Sequence, residues 1–160
     1  MPKHILLYKA FGWEIPKFYH TAVIRNPDKA KLSKRHGHAS VDWYQKEGFL
    51  PEALLNFLAL MGWSHPEEKE IFSLEEFIRV VALKDLRAVG PVFDMQKLEW
   101  INGEYIRAMG VGELKSRLVD YYGEKYSADL LDKTIPLIQE RIKTLKEFDE
   151  YCDFFIQPPS

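Results

Sequence analysis

Cysteine is almost missing from this 160-residue chain, which holds one, Cys152. A lone cysteine closes no internal disulfide, and without paired Cys spacing there is no cysteine-based zinc motif. A reducing compartment, the cytoplasm, is therefore expected. Long apolar runs are missing too. The run near the start, residues 5–8, is too short for the core of a secretory signal and far short of a membrane span, so no membrane partner is expected. There is no internal repeat or low-complexity segment. No Ser/His/Asp or Cys/His arrangement supports nucleophilic catalysis, and Cys152, in an apolar-rich terminal segment, reads as packing. Net charge is also close to nil, at −2.

What is present is enough apolar material, 46% of residues, for one ordinary domain or two small ones. The charge is unevenly placed. Residues 1–40 carry eight Lys or Arg against two acidic groups, a net +6, whereas the other 120 carry 14 against 22, a net −8. A basic front before an acidic body points to a localised anion site; a general nucleic-acid coat would spread its positive charge. The focus is "IRNPDKAKLSKR", residues 24–35, with four Lys or Arg inside seven positions.

The patterning is mainly helical. Residues 3–11 read as a short helix stopped by Gly12. Residues 21–25 have the β-branched character of a strand, Asn26-Pro27-Asp28 is turn chemistry, and residues 31–33 return as a second short strand, a small β hairpin bearing the basic segment. From residue 40 helices follow one another. Ser40 opens one ending before Gly48, Pro51 starts another that reaches Gly62, and Ser73 with Glu76 forms a capping box. Asp94 caps residues 95–101, with an interruption at Gly103 and a further turn or two over 105–109. Gly110 and Gly112 mark the internal boundary, giving units 1–110 and 111–160. Beyond it the pattern predicts helices over 113–122, over 128–142 with a kink at Pro136, and from Leu145 under a Thr144/Glu147 cap.

Lysine is a compact, fully donating charge on a flexible stem, so Lys31 and Lys34 on an exposed loop suit phosphate oxygens during phosphoryl or adenylyl transfer. One ion pair at about 4 Å contributes roughly 4 kcal/mol at an effective dielectric of ~20, on the order of a thousandfold in rate if felt only in the transition state. Ser33 adds a hydroxyl, and Arg35 can meet a second phosphate or anchor the loop. His36 and His38 alternate without a third convergent ligand, so no metal site is expected. His20 reads as a structural histidine. Trp43, Tyr44, Trp63 and Trp100 could stack on bases but fit core packing better. Arg25, Lys97, Asn102 and Arg107 are candidate contacts to a nucleic-acid backbone. Arg141, Lys143 and Lys146 make a small positive spot near the end.

The order Lys31-Leu32-Ser33-Lys34-Arg35 resembles the KMSKS-type signature of class I aminoacyl-tRNA synthetases, in the KLSKR form common among glutamyl-tRNA synthetases. "NPDKAKLSKRHGHASVDWYQKEGFLPEALLNFLALMGWS", "EIFSLEEFI", "GPVFDMQKLEWINGEYI" and "TLKEF" follow in the order and spacing of the bacterial-type enzymes, so the likeness covers nearly the whole chain. Two departures stand out. Thr21-Ala22 follow His20 where the family usually has Leu-Pro, and Glu104 stands where many members are basic or neutral.

The resemblance implies a mainly α fold, a stem-contact-like domain over 1–110 with its loop on the hairpin, then the first helical anticodon-binding subdomain over 111–160. A glutaminyl enzyme would continue into β-barrels, whereas the pattern after Gly112 is helical. It implies ATP, with Mg, as the activating substrate and tRNA(Glu) as acceptor, joined to glutamate through a glutamyl-adenylate. Lys34 matches the second signature lysine, which binds ATP and stabilises departing pyrophosphate; Lys31, Ser33 and Arg35 complete the loop. The family's HIGH signature, nucleotide-binding sheet and amino-acid pocket have no counterpart here. The expected partner is thus an upstream catalytic half, and the isolated chain is expected to be a monomer unable to aminoacylate. Two other readings are a non-catalytic RNA-binding module and a helical scaffold for proteins.

Overall fold

A computed structural model describes residues 2–28, 30, 40–87 and 90–156, with side chains as far as Asp153. Among these residues the fold is helical: α1 (Pro2–Ala10), α2 (Val41–Lys46), α3 (Pro51–Gly62), α4 (Leu74–Val80), α5 (Met95–Ala108), α6 (Val111–Tyr122), α7 (Ala128–Ile138) and α8 (Glu147–Ile156), with 3₁₀ turns at Leu83–Asp85 and Gly123–Lys125.

Local chemistry accounts for most boundaries. The Ser73 hydroxyl accepts the Glu76 N–H at 3.1 Å, and the Asp94 carboxylate accepts the Lys97 N–H at 3.0 Å, each satisfying a donor that the first helical turn leaves free. Pro51 sits in the first turn of α3, where its missing N–H costs nothing. Gly48 follows α2 with φ +78°, a left-handed conformation that glycine adopts without strain.

Elsewhere tertiary structure overrides local pattern. Helix α5 runs unbroken through Gly103, because a single helical glycine costs only about 1 kcal/mol and buried Leu98, Ile101 and Ile106 hold one face of the helix in the core. Helix α7 ends at Ile138 rather than 142: Pro136 removes a helical donor, and the chain then turns so that Gln139 reaches other carbonyls. Helix α8 starts at Glu147, not Leu145. Thr144 is buried, and the Glu147 carboxylate accepts the Lys143 N–H at 2.7 Å. The expected hairpin is not seen: the β pairing among the described residues is an isolated parallel bridge between Arg25 and Val92, and residues 31–33 lie outside them.

One apolar core runs from α2 to α8. Ala53, Phe57 and Met61 on α3 repeat every fourth residue and face Leu98, Ile101 and Ile106 on α5; Leu114, Leu118, Leu131, Ile135 and Phe148 continue the same cluster. Each fully buried Leu, Ile or Phe contributes roughly 1.5–3 kcal/mol. Trp63 closes α3, 1% exposed, with its ring edge-on to Phe72 and Phe77. Helix α1 differs: none of its residues is buried.

Candidate nucleic-acid interface

The signature residues Lys31, Ser33, Lys34 and Arg35, with His36 and His38, lie outside the described residues. The chain just before them, up to Asp28, and Ala30 are described. Arg25 donates its N–H to the Pro91 carbonyl at 2.9 Å and accepts the Phe93 N–H at 2.8 Å, which pins the incoming chain along residues 91–93. The Asn26 N–H then reaches the Ala30 carbonyl at 2.8 Å, and Asp28 Oδ1 accepts the Ala30 N–H at 2.8 Å, so the Asn-Pro-Asp turn is closed by its own polar groups. Gly90 permits this approach, because a Cβ there would fall 2.7 Å from the Val23 carbonyl oxygen.

Of the four candidate backbone contacts, three are available at the surface. Arg25 is exposed, its side chain passing beside Gly90. Lys97 pairs with Glu70 and lies over the Trp100 ring, 4.8 Å from its centroid. Arg107 pairs with Glu104 one turn back and covers Gly103. Asn102 corrects the sequence reading. It is fully buried: Oδ1 accepts the Leu50 N–H at 2.8 Å and Nδ2 donates to the Lys143 carbonyl, so neither end of the amide is offered to a partner.

Other readings shift as well. Trp100 is 38% exposed, its ring under Lys97 rather than in the core, whereas Trp63 and Tyr44 are buried and Trp43 packs partly against the core. His20 is exposed. Cys152 is buried, and desolvation holds its thiol above the usual range. The positive spot near the end is largely neutralised, since Lys146 meets Glu47 at 2.7 Å and Lys143 meets Glu99 at 3.6 Å.

The sequence reading missed His65. It is 3% exposed beside Trp63 and Phe72; Nδ1 accepts the Glu67 N–H at 3.0 Å, while Nε2 faces the Glu76 carboxylate at 3.3 Å without completing a hydrogen bond. The Lys69 ammonium beside Glu76 holds that carboxyl below its ordinary range. Tyr105 was missed too: its hydroxyl donates to the Phe72 carbonyl at 2.6 Å, and burial, followed by the charges of Glu52 and Glu75, pushes it up to about 12. Trp63 and the Ser73/Glu76 box were visible signals for the first. Nothing in the pattern around Tyr105 marks its partner.

Among the described residues no group of three His, Cys, Asp or Glu side chains is placed to hold a metal ion, and no helix is long and apolar enough to cross a membrane.

Residues 1–100 match the family model described as tRNA synthetases class I (E and Q), catalytic domain, and residues 96–160 match the anticodon binding domain. The chain belongs to the class I tRNA synthetases of the E and Q type. A glutamate-tRNA ligase of Thermus thermophilus is 50% identical over 154 residues, covering 93% of this chain and 33% of that protein. One from Deinococcus radiodurans is 59% identical over 106 residues, covering 66% of this chain and 22% of the relative. The crystal structure of a glutamate tRNA ligase from Elizabethkingia meningosepticum, solved with its amino acid, superposes with a TM-score of 0.80 at 31% identity over 99% of this chain and 36% of its own. The synthetase segment seen here thus spans about a third of the length of the curated relatives it matches.

Proposed function

We propose that this chain supplies the signature loop and part of the tRNA-binding surface of a glutamate-tRNA ligase acting in the cytoplasm. In the first step a glutamate carboxylate oxygen attacks the α-phosphorus of ATP, accompanied by Mg, and pyrophosphate leaves. In the second, the tRNA(Glu) 3′-terminal hydroxyl attacks the acyl carbon and AMP leaves. Lys34, in the signature segment that follows Arg25 in the chain, binds ATP and stabilises the departing pyrophosphate; Lys31, Ser33 and Arg35 complete that segment. Arg25, Lys97 and Arg107 meet tRNA phosphates, with the exposed Trp100 beside Lys97. Residues 1–110 form the stem-contact-like unit and 111–160 the first anticodon-binding subdomain, the two sharing one core in a monomer.

The observation that carries this reading is the 50% identity over 93% of the chain to a protein named glutamate-tRNA ligase, in a segment where the KLSKR order keeps its flanking context. A second observation supports the partner. Leu6 is 65% exposed, Phe11 62% and Trp13 61%, on and just after a helix with no buried residue. A nine-residue helix is marginal in water by itself, so this surface suits cover by the nucleotide-binding half. Without that half nothing opposes the loop across ATP, and the isolated chain does not aminoacylate.

The test is reconstitution with the catalytic half of a relative, reading glutamate-dependent ATP–pyrophosphate exchange with tRNA(Glu) present. Lys34→Ala is expected to leave the helical circular dichroism intact and lower exchange on the order of a thousandfold. An unchanged rate removes the role given to Lys34. A wild-type chain that fails to bind tRNA(Glu) at low salt removes the ligase reading itself.

A further inference from the structure

Asn102 is a buried polar side chain whose two ends reach backbone 52 and 41 residues away. Its Oδ1 accepts the Leu50 N–H at the N-terminus of α3, and its Nδ2 donates to the Lys143 carbonyl in the turn that leads into α8. One amide on α5 therefore ties the loop-bearing helices to the C-terminal ones. Other directional bonds cross the same seam. The Leu145 N–H donates to the Gly48 carbonyl at 2.9 Å, and the Tyr121 hydroxyl donates to the Lys46 carbonyl. The Gln139 amide donates to the Ile106 and Met109 carbonyls, both at 2.8 Å, and Arg117 of α6 pairs with Glu52 of α3. Gly48 lets the two sides approach, since a Cβ there would fall 2.5 Å from the Lys146 nitrogen.

Apolar packing tolerates small rotations, whereas buried hydrogen bonds lose their partners when an angle changes. A seam crossed by four side chain to backbone bonds, from Asn102, Tyr121 and Gln139, fixes the angle between its halves. We infer that Asn102 is a positioning residue: it holds the α6–α8 helices at a set angle to the loop-bearing part so that both engage one tRNA together. It does so without touching the tRNA. The tRNA consequence rests on the ligase reading; the set angle does not. Two linked surfaces held in register bind a rigid ligand through a high effective concentration, which is lost when the angle spreads.

The experiment uses the 160-residue chain with spin labels on Asp85→Cys and Lys133→Cys, one exposed residue on each side of the seam; buried Cys152 remains unlabelled. Electron–electron distance measurements and tRNA(Glu) titration over a salt series are made with and without Asn102→Ala. The expected result is a broadened distance distribution and an affinity lowered about tenfold, the scale on which linked sites lose effective concentration, with the salt slope unchanged. A slope reduced by about one unit would mean that the substitution displaces a cationic phosphate contact rather than releasing the angle, and would overturn the inference. So would an unchanged distance distribution. Should Asn102→Ala lose its helical circular dichroism, Gln139→Met decides the matter by the same readings, because it removes two donors from the same seam; a variant that folds with an unbroadened distribution overturns the inference. If the wild-type chain does not bind tRNA, the ligase reading fails, and the distance arm alone decides whether the seam sets the angle.

Discussion

Residues 2–23 and residues 44–152 are built from similar amino acids and end in opposite states. The front holds Leu6, Leu7, Phe11, Trp13, Tyr19 and Val23, each more than half exposed. The body holds Leu98, Ile101, Ile106, Ile135, Ile142 and Phe148, all at 0%. Phe11 and Trp13 stack on each other with ring centres 4.8 Å apart, but that pairing covers little of either ring. Composition therefore does not decide burial; the presence of an opposing face does. The body supplies its own through α3 against α5 and α6 against α7. The exposed side chains of the front have no such opposing face among the described residues, and the front joins the body where Val23 passes Gly90, Ile24 packs against the core and Arg25 meets Val92.

The largest expected effect lies in the body. Phe148→Ala and Leu98→Ala each remove a fully buried side chain and leave a cavity, so each should lower the unfolding free energy of the isolated chain by about 3–5 and 2–5 kcal/mol respectively. Urea denaturation followed by circular dichroism measures both. A loss below about 1 kcal/mol at either site would mean that the body is not close-packed, and the contrast with the front would go.

Two glycines sharpen the same contrast with opposite signs. Gly48 has φ +78° and sits against the Lys146 and Leu145 nitrogens, so Gly48→Ala combines a left-handed backbone with a clash against main chain that cannot swing aside. A loss on the order of 3 kcal/mol is expected. Gly112, in the first turn of α6, has open space around its Cβ position. Gly112→Ala should stabilise by about 0.5 kcal/mol through helix propensity alone. Melting midpoints moving in opposite directions are the expected reading; a stabilising Gly48→Ala would contradict the close approach at the seam.

Local chemistry was legible in the sequence where one residue satisfies another a few positions away. Ser73 with Glu76, Asp94 with Lys97, Pro51 at the start of α3 and Gly48 after α2 all act within a turn, and each stands where the pattern put it. The misses came from distance. Asn102 looks like a surface polar residue because its partners, Leu50 and Lys143, are far off in the chain. Gly103 reads as a break, yet the weak helical penalty of glycine yields to the packing of Leu98, Ile101 and Ile106. Trp100 reads as core by its helical spacing, but it lies on the outer side of α5 under Lys97. At the candidate site, the KLSKR order was plain in the sequence, whereas the anchoring of Arg25 on residues 91–93 was not, since that bridge joins residues 67 positions apart, 25 and 92.

A smaller effect comes from Asp149. The Lys125 ammonium beside it, and then the Tyr126 hydroxyl, hold its carboxyl below the ordinary range. A carboxylate whose folded pKa is depressed binds protons less readily in the native state. Its contribution is full above the unfolded value of about 3.9 and is lost as pH falls through the folded value. Its side chain is 38% exposed, so solvent screening limits the contribution to under about 1 kcal/mol. Stability measured from pH 5 downward should fall less steeply in Asp149→Asn than in the wild-type chain. Equal slopes would show that the pair is not formed in solution.

The smallest effect is expected at the front, and it is the one that most directly tests the contrast drawn above. Leu6→Ser and Phe11→Ser change side chains that are 65% and 62% exposed, so in the isolated chain neither removes much buried area. Each should shift the unfolding free energy by less than about 0.5 kcal/mol. A core substitution of the same chemical kind costs several times that, although the residues lost are alike. If the exposed apolar surface is one side of an interface, these two changes must act somewhere else: they should weaken association with the nucleotide-binding half while leaving the isolated chain as stable as before. A loss above about 1 kcal/mol in the isolated chain would show that residues 2–23 already pack on the body, and the front would then need no partner to explain it.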